Sequence, residues 1–388
     1  MQQSVLYVCE QGTSLHKSGE SVVVRKDGAE LLEVESFRLG TVCLVGAVQC
    51  STQAMAALLA EGIDVSLLGF GGRFVGRISG PCSKNVPLRL RQYALFAEEE
   101  ARDEFARSIV AAKLAGQREL LLRYQKHHPD VEIATAIGQI RETEAKLEGA
   151  GRESLRGHEG SAARAFFQAV RTILPPDFEF EGRNRRPPRD PVNAMLSFAY
   201  TVAGNELTAF VEACGLEPHL GLWHEVEYGR SSLALDLLEA FRPDIDAFVI
   251  RMFNRKIFSP ADFRTDESEG CRFGDQALKR FFVEYEKEMR GHEPGLADPE
   301  GRMTGLRGEM AGVVEAFAGW LRGREAGMAG VPPVEVGSVA GPGWAGEEAV
   351  TVESTAKGGF PILEARHVCR DRIRHRQGQD AVPGGEDS

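Results

Sequence analysis

Nowhere does the chain hold an uncharged apolar run of about 18 residues, the least that a bilayer-spanning helix requires. The N-terminus lacks a basic segment followed by an apolar one, so no secretory signal is read there, and the chain is expected in the cytoplasm with no membrane partner. Its seven cysteines include no Cys-x-x-Cys pair, which excludes zinc-ribbon spacing and speaks against a disulfide framework. Cys9, Cys43 and Cys50 fall in or beside apolar runs and read as small buried hydrophobes. Positive charge is also short: the net charge is -11 and the pI about 5.5. That excludes an even basic coat, the usual footprint of a nucleic-acid binder.

Basic residues nevertheless gather locally, at Arg73, Arg77, Lys84, Arg89 and Arg91, and again at Arg183, Arg185, Arg186 and Arg189. Such patches can hold phosphates where the average charge cannot. The second run, with Asn184 and Pro187-Pro188, reads as a rigid loop before a helix around Asn193, placed to grip a nucleic-acid backbone or, alternatively, simply solvated.

The hydrophobic period changes along the chain. Val5-Leu6-Tyr7-Val8, Val22-Val23-Val24, Val42-Cys43-Leu44-Val45 and Val65-Ser66-Leu67-Leu68 are short and rich in branched residues, as strands are, and Asp27-Gly28 and Gly71-Gly72 punctuate them as turns. From about Pro87 the period lengthens to helical. The fold class expected is α+β: a small β domain over residues 1–85, a larger, mostly α-helical catalytic domain over 86–323, and a disordered tail over 324–388. The tail is rich in Gly, Ala, Val and Pro and carries Arg366, Arg370, Arg372, Arg374 and Arg376, with no packed core expected.

Chemistry concentrates where Gly221-Leu222-Trp223-His224 precedes the apolar segment from Ser231 to Pro243. Ser231 or Ser232 can cap a helix there, the leucines favour it, and Pro243 makes continuation past Arg242 unfavourable. Asp236 and Glu239, three apart, share a face, so their carboxylates would repel unless a cation or an arginine stood between them. A nearby imidazole with carboxylate oxygens suits Mn2+ or Mg2+; a structural pair of Arg242 with Glu239 is the alternative. Upstream, Glu159 opens a helix read from Ser161 to Val170, and positions 3, 4, 7 and 11 beyond it are Ala162, Ala163, Phe166 and Val170. Its carboxylate therefore lies along the apolar stripe, either seeking a partner or simply favoured by the helix N-terminus.

These residues resemble the metal-dependent integrase and endonuclease family of CRISPR adaptation, the subunit that inserts new spacers. Three blocks carry the resemblance: His158-Glu159-Gly160 with Ala162-Ala163-Arg164 and Phe167; Asp190-Pro191-Val192-Asn193-Ala194-Met195-Leu196-Ser197-Phe198-Ala199-Tyr200; and Gly221 through Pro243. A softer match includes Gly76-Arg77, Arg91-Gln92-Tyr93, Lys279-Arg280-Phe281 and Tyr285, and leaves the tail uncovered. His219 and Trp223 depart from the family pattern beside the site without removing it. The resemblance implies metal ligands at Glu159, His224 and Glu239, with Asp236 as a catalytic supporting acid that orients His224 or a metal-bound water. It implies Mg2+ or Mn2+ as cofactor and DNA held by Arg77, Lys84, Arg164, Arg183, Arg185, Arg186 and Arg189. The expected reaction is insertion of short DNA fragments into a CRISPR repeat array by 3′-hydroxyl transesterification, with hydrolysis as its counterpart. The implied partners are a second copy joined through the β domain and a small ferredoxin-like protein, which together form a heterohexamer. A metal-dependent repair nuclease for branched DNA and a noncatalytic DNA-binding scaffold are the rival readings.

Overall fold

A computed structural model describes residues 4–69, 74–80, 85–184, 187–266, 270–291 and 305–324, together with Phe360, Ile362 and Arg366. Strands β1 (Ser4–Val8), β2 (Ser14–Ser18), β3 (Ser21–Lys26), β4 (Ala29–Glu35), β5 (Leu39–Val45) and β6 (Gln49–Cys50) precede helix α1 (Thr52–Ala60), and β7 (Asp64–Leu68) and β8 (Phe74–Ile78) follow it. They form two four-stranded sheets, ordered β1-β5-β7-β8 and β4-β3-β2-β6. In the first, β1, β5 and β7 run parallel and β8 antiparallel. Leu15, Val22 and Val24 from one sheet and Leu6, Val42, Leu44 and Val65 from the other share one apolar core.

All four apolar runs singled out in the sequence are strands: β1, β3, β5 and β7. Their companions carry a weaker signal because they bury less; β4 has no fully buried residue. Between β3 and β4 the chain reverses at Asp27-Gly28, with φ of 49° and 81°. Two consecutive positive angles are what a hairpin turn matched to the strand twist demands, and Asp-Gly tolerates them. Gly71-Gly72 lies outside the described residues.

The helical part begins with α2 (Val86–Ala97), where the Asn85 side chain accepts from Leu88 N at 3.4 Å and Pro87 occupies the first turn. Then come α3 (Glu99–His127), α4 (Val131–Glu144), α5 (Arg152–Ile173), α6 (Pro191–Ala213), α7 (Ser232–Glu239) and α8 (Arg242–Asn254). A short hairpin, β9 (Phe263–Asp266) with β10 (Gly270–Phe273), leads to α9 (Asp275–Arg290) and α10 (Gly305–Gly323). Among the described residues, no helix is long and apolar enough to cross a membrane.

The β and helical parts are pinned together by mixed contacts. The Tyr7 ring stacks on Phe282 with centroids 4.3 Å apart. Arg77 of β8 reaches Glu212 of α6 and lies 3.7 Å from Asp64. Arg307 of α10 divides its guanidinium between Glu206 and Glu286, at 2.8 Å each. Around α6, Phe198 meets Phe273, Phe281 and Phe282 edge-on, the geometry that aromatic quadrupoles favour.

Packing also reaches beyond residue 323. Phe360 and Ile362 are fully buried, and the Phe360 ring lies 5.4 Å from Phe317 and 5.8 Å from Trp320 of α10. Other than these two residues, Arg324 and Arg366, the expected tail lies outside the described residues.

Helices α3 and α8 meet closely at Gly116, where a Cβ would stand 2.7 Å from Pro243 Cγ. A side chain there must displace a rigid ring. Gly116→Ala is therefore expected to cost about 1–3 kcal/mol through overpacking, seen as a lower urea midpoint with an unchanged slope.

Candidate metal centre

Helix α7 and the loop before it build the site. Neither serine caps the helix as the sequence suggested: Ser231 makes no side-chain capping bond, and the Ser232 hydroxyl donates to the Glu225 carbonyl at 2.9 Å. The Leu233 amide finds the Pro218 carbonyl at 2.9 Å, so backbone of the preceding loop does the capping. That loop is held tightly over the helix start. A Cβ on Gly221 would lie 2.6 Å from Ser232 Cβ and 2.9 Å from the His224 carbonyl, which leaves room only for glycine. The helix ends at Glu239, before the Arg242 limit that Pro243 suggested, and the chain turns helical again at Arg242. Phe241 breaks the run, and Pro243 sits in the first turn of α8, where its missing N–H costs nothing.

Asp236 is fully buried and fastens the histidine loop to α7. Its carboxylate accepts from the amides of Leu222, Trp223 and His224 at 2.6, 2.9 and 2.8 Å. The His224 ring nitrogen Nδ1 lies 2.7 Å from the same carboxylate. An ionised carboxylate only accepts, so Nδ1 carries the proton and Nε2 presents its lone pair. From the other side, Arg152 of α5 donates to the Leu222 carbonyl, and the Arg156 guanidinium lies over the Trp223 ring at 5.8 Å.

Glu239 faces away from Asp236 toward cations. Its Oε1 lies 2.8 Å from Arg242 Nε and 3.8 Å from His224 Nε2, and its Oε2 accepts from Lys113 Nζ at 2.7 Å. The same ammonium donates to Glu159. Thus α3, α5, α7 and the histidine loop bring Lys113, Glu159, Glu239 and His224 to one place. The Arg242 pair, one of the two sequence readings of Glu239, is present. Glu159 is not in a first turn: α5 starts at Arg152, two turns earlier, so an N-terminal dipole does not account for its position. Gly157 and Gly160 lie inside the helix, where packing of α5 on α3 and α4 overrides their weak propensity.

Burial would raise the Glu239 carboxyl, but Arg242 and Lys113 outweigh it and hold it well below the usual carboxylate range. Burial likewise pulls the Lys113 ammonium down, and Glu239 and Glu159 reverse this and keep it above its ordinary value. Among the described residues, no three His, Cys, Asp or Glu side chains are spaced as a metal cage while Lys113 holds the shared position. The donor set fits a hard divalent cation all the same: an imidazole with its proton fixed on the far nitrogen, and two carboxylates that already share one positive charge.

A second cluster lies alongside. Arg242 stacks over the Tyr200 ring at 4.3 Å, the Tyr200 hydroxyl donates to Asp246, and Arg183 reaches Asn193 Oδ1 at 2.7 Å and Ser197 Oγ at 3.1 Å. Asn193, Ser197 and Tyr200 therefore form one polar face of α6, with Tyr200 in the core. Of the basic residues expected on DNA, Arg164 and Arg189 are exposed and Arg183 is half-buried against α6. Arg77 of β8 points at α6, where it pairs with Glu212 and lies 3.7 Å from Asp64 at the joint between the two parts. Lys84, Arg185 and Arg186 lie outside the described residues. Lys113 and Asp246 escaped the sequence reading. A signal for Lys113 existed: it sits on the apolar stripe Ile109, Val110, Leu114, Leu120, Leu121 of α3, where a lysine needs a buried partner.

The family model for CRISPR associated protein Cas1 matches residues 6–287. The chain belongs to the Cas1 family. It is 34% identical over 343 residues to CRISPR-associated endonuclease Cas1 2 of Rhodospirillum rubrum, covering 82% of this chain and 98% of that one. Among solved structures, a chain of a Cas6-RT-Cas1–Cas2 complex aligns with a TM-score of 0.70 and 22% identity, over 83% of this chain and 35% of that chain. A casposase bound to an integration product aligns equally well, with a TM-score of 0.70, 22% identity, and 83% and 90% coverage. These structural likenesses confirm the Cas1 fold, β sheets followed by a mostly helical part.

Asp246 gives a pH prediction. Burial pushes its carboxyl up to about 6 despite the Tyr200 hydrogen bond and Arg242. The folded state therefore binds this proton more tightly than the unfolded chain, whose aspartate titrates near ~3.9. Stability from this group is fully present below that value and is lost as pH rises through about 6. Asp246→Asn is expected to flatten this limb of the pH profile of thermal unfolding; an unchanged profile would contradict it.

Proposed function

We propose that this chain is a metal-dependent DNA integrase and endonuclease that inserts short DNA fragments into a CRISPR repeat array by 3′-hydroxyl transesterification. The observation that supports this reading is that Glu159 and Glu239, from separate helices, share the Lys113 ammonium, with His224 Nε2 3.8 Å from Glu239. Those three residues would hold Mg2+ or Mn2+, and the ion would supply Lewis-acid polarisation of a phosphodiester and a lower pKa for an attacking hydroxyl. Asp236 keeps the His224 lone pair free on Nε2 by accepting the hydrogen bond of Nδ1–H. Arg242 and Lys113 keep Glu239 ionised, so its oxygens remain donors at any pH the cell offers. Exposed Arg164 and Arg189, both between Glu159 and His224 in sequence, supply charge for a phosphate backbone.

In joining, the 3′ oxygen attacks phosphorus and gives up its proton, one P–O bond forms, and the bond to the displaced 3′ oxygen breaks, with that oxygen taking up a proton. If water attacks instead, the outcome is cleavage. The number of phosphodiesters is conserved only in the first case. Family membership and the fold shared with a casposase bound to an integration product favour joining. The likeness to a chain of a Cas6-RT-Cas1–Cas2 complex supports assembly with a partner protein; the proposed heterohexamer is two homodimers, each formed through the β domain, bridged by a dimer of a small ferredoxin-like partner.

In an assay with a 3′-hydroxyl fragment, a supercoiled repeat plasmid, Mn2+ and the partner protein, Glu159→Ala is expected to lose joining by at least about a hundredfold while retaining DNA binding. A variant that joins as well as the parent removes Glu159 from the site. Lys113→Met leaves two carboxylates without their shared cation and is expected to lower unfolding stability by roughly 3–5 kcal/mol, measured by denaturant titration in EDTA.

A further inference from the structure

Arg366, from a stretch in which no packing was expected, is buried at the back of the metal centre. Its guanidinium donates to the Ala240 carbonyl, pairs with Asp244, and lies over the Phe241 ring at 4.5 Å. It also stands 3.8 Å from Glu309 of α10. Ala240 and Phe241 are the hinge between α7 and α8, immediately after Glu239, and Asp244 lies in the first turn of α8.

That hinge needs an outside donor. In an uninterrupted helix the Ala240 carbonyl would receive the amide of residue 244, but the Asp244 amide goes to the Phe241 carbonyl at 3.1 Å. Pro243 has no amide to offer. A carbonyl at the negative end of a helix is left over, and a guanidinium there is favoured both by hydrogen bonding and by the helix dipole. Arg366 satisfies it and, through Asp244, ties the start of α8 to the end of α7. Phe360 and Ile362, buried among Phe105, Phe317 and Trp320, fix the position from which Arg366 reaches in.

We propose that Arg366 is a positioning residue for the metal centre, holding the α7–α8 hinge so that Glu239 and Arg242 keep their relative placement. The C-terminal segment is in this sense part of the catalytic domain. The inference rests on the reading of Glu159, His224 and Glu239 as ligands.

The test uses the full-length chain, Mn2+ as probe, and calorimetric titration of the parent, Arg366→Gln and Arg366→Lys, with thermal unfolding in EDTA to establish that each is folded. Arg366→Gln is expected to bind Mn2+ roughly tenfold more weakly and to lower kcat for joining with the KM for DNA unchanged. Arg366→Lys, which keeps the charge but loses the planar fork, is expected to lie between the two and decides the matter if the glutamine variant does not fold. A folded variant that binds Mn2+ within about twofold of the parent overturns the proposal, even if its melting temperature falls, since the role would then be structural only. A parent that binds no Mn2+ overturns the ligand reading and this proposal with it, whereas a parent that binds and a variant that binds equally well sinks this proposal alone.

Discussion

A buried ammonium shared by two carboxylates is the constraint around which the helical part is arranged. Lys113 stands in an apolar stripe of α3, and a lone charge there would be prohibitive. Glu159 on α5 and Glu239 on α7 make it tolerable, and in doing so they fix three helices against one another. The same electrostatics draws in Arg242, whose guanidinium then finds the face of Tyr200, and Tyr200 in turn finds Asp246. Remove the central cation and each later contact loses part of its reason. A site that places this much charge at one buried point gives up stability to specificity, as functional sites commonly do.

Rigidity around that point comes from the backbone more than from the charged groups. Asp236 gathers consecutive amides of the histidine loop, Gly221 lets that loop lie on α7, and Gly116 lets α3 approach Pro243. Phe241 and Pro243 separate α7 from α8, so Glu239 and Arg242 leave the backbone from different helices and still meet. A continuous helix would also have set them three apart, but without the hinge that lets α8 turn toward α6. The break costs hydrogen bonds, and the Ala240 carbonyl is one place where the fold makes up for it.

The strand runs with branched residues, the Asp27-Gly28 turn and the change to helical period near Pro87 were legible because each is a local pattern with a local cause. Exposed strands such as β4 and short ones such as β6 gave little signal, since a strand that buries few side chains has no hydrophobic rhythm to read. The start of α5 was misplaced because glycine propensity is a weak force beside packing. Arg77 shows what clustering along the chain leaves out: the strand that carries it faces an acid on α6, a partner far away in sequence.

By itself the sequence carried the α+β class in its hydrophobic periods and the family in its motif blocks, and that resemblance pointed to Glu159, His224, Asp236 and Glu239 as the candidate site. Only the tertiary structure decided that Asp236 fastens the histidine loop, that Lys113 shares its charge between Glu159 and Glu239, and that Arg366 closes the hinge behind them. Lys113 and Arg366 each meet their partners across 126 residues of chain. A buried charge is defined by what surrounds it in space, and no window of sequence contains that neighbourhood.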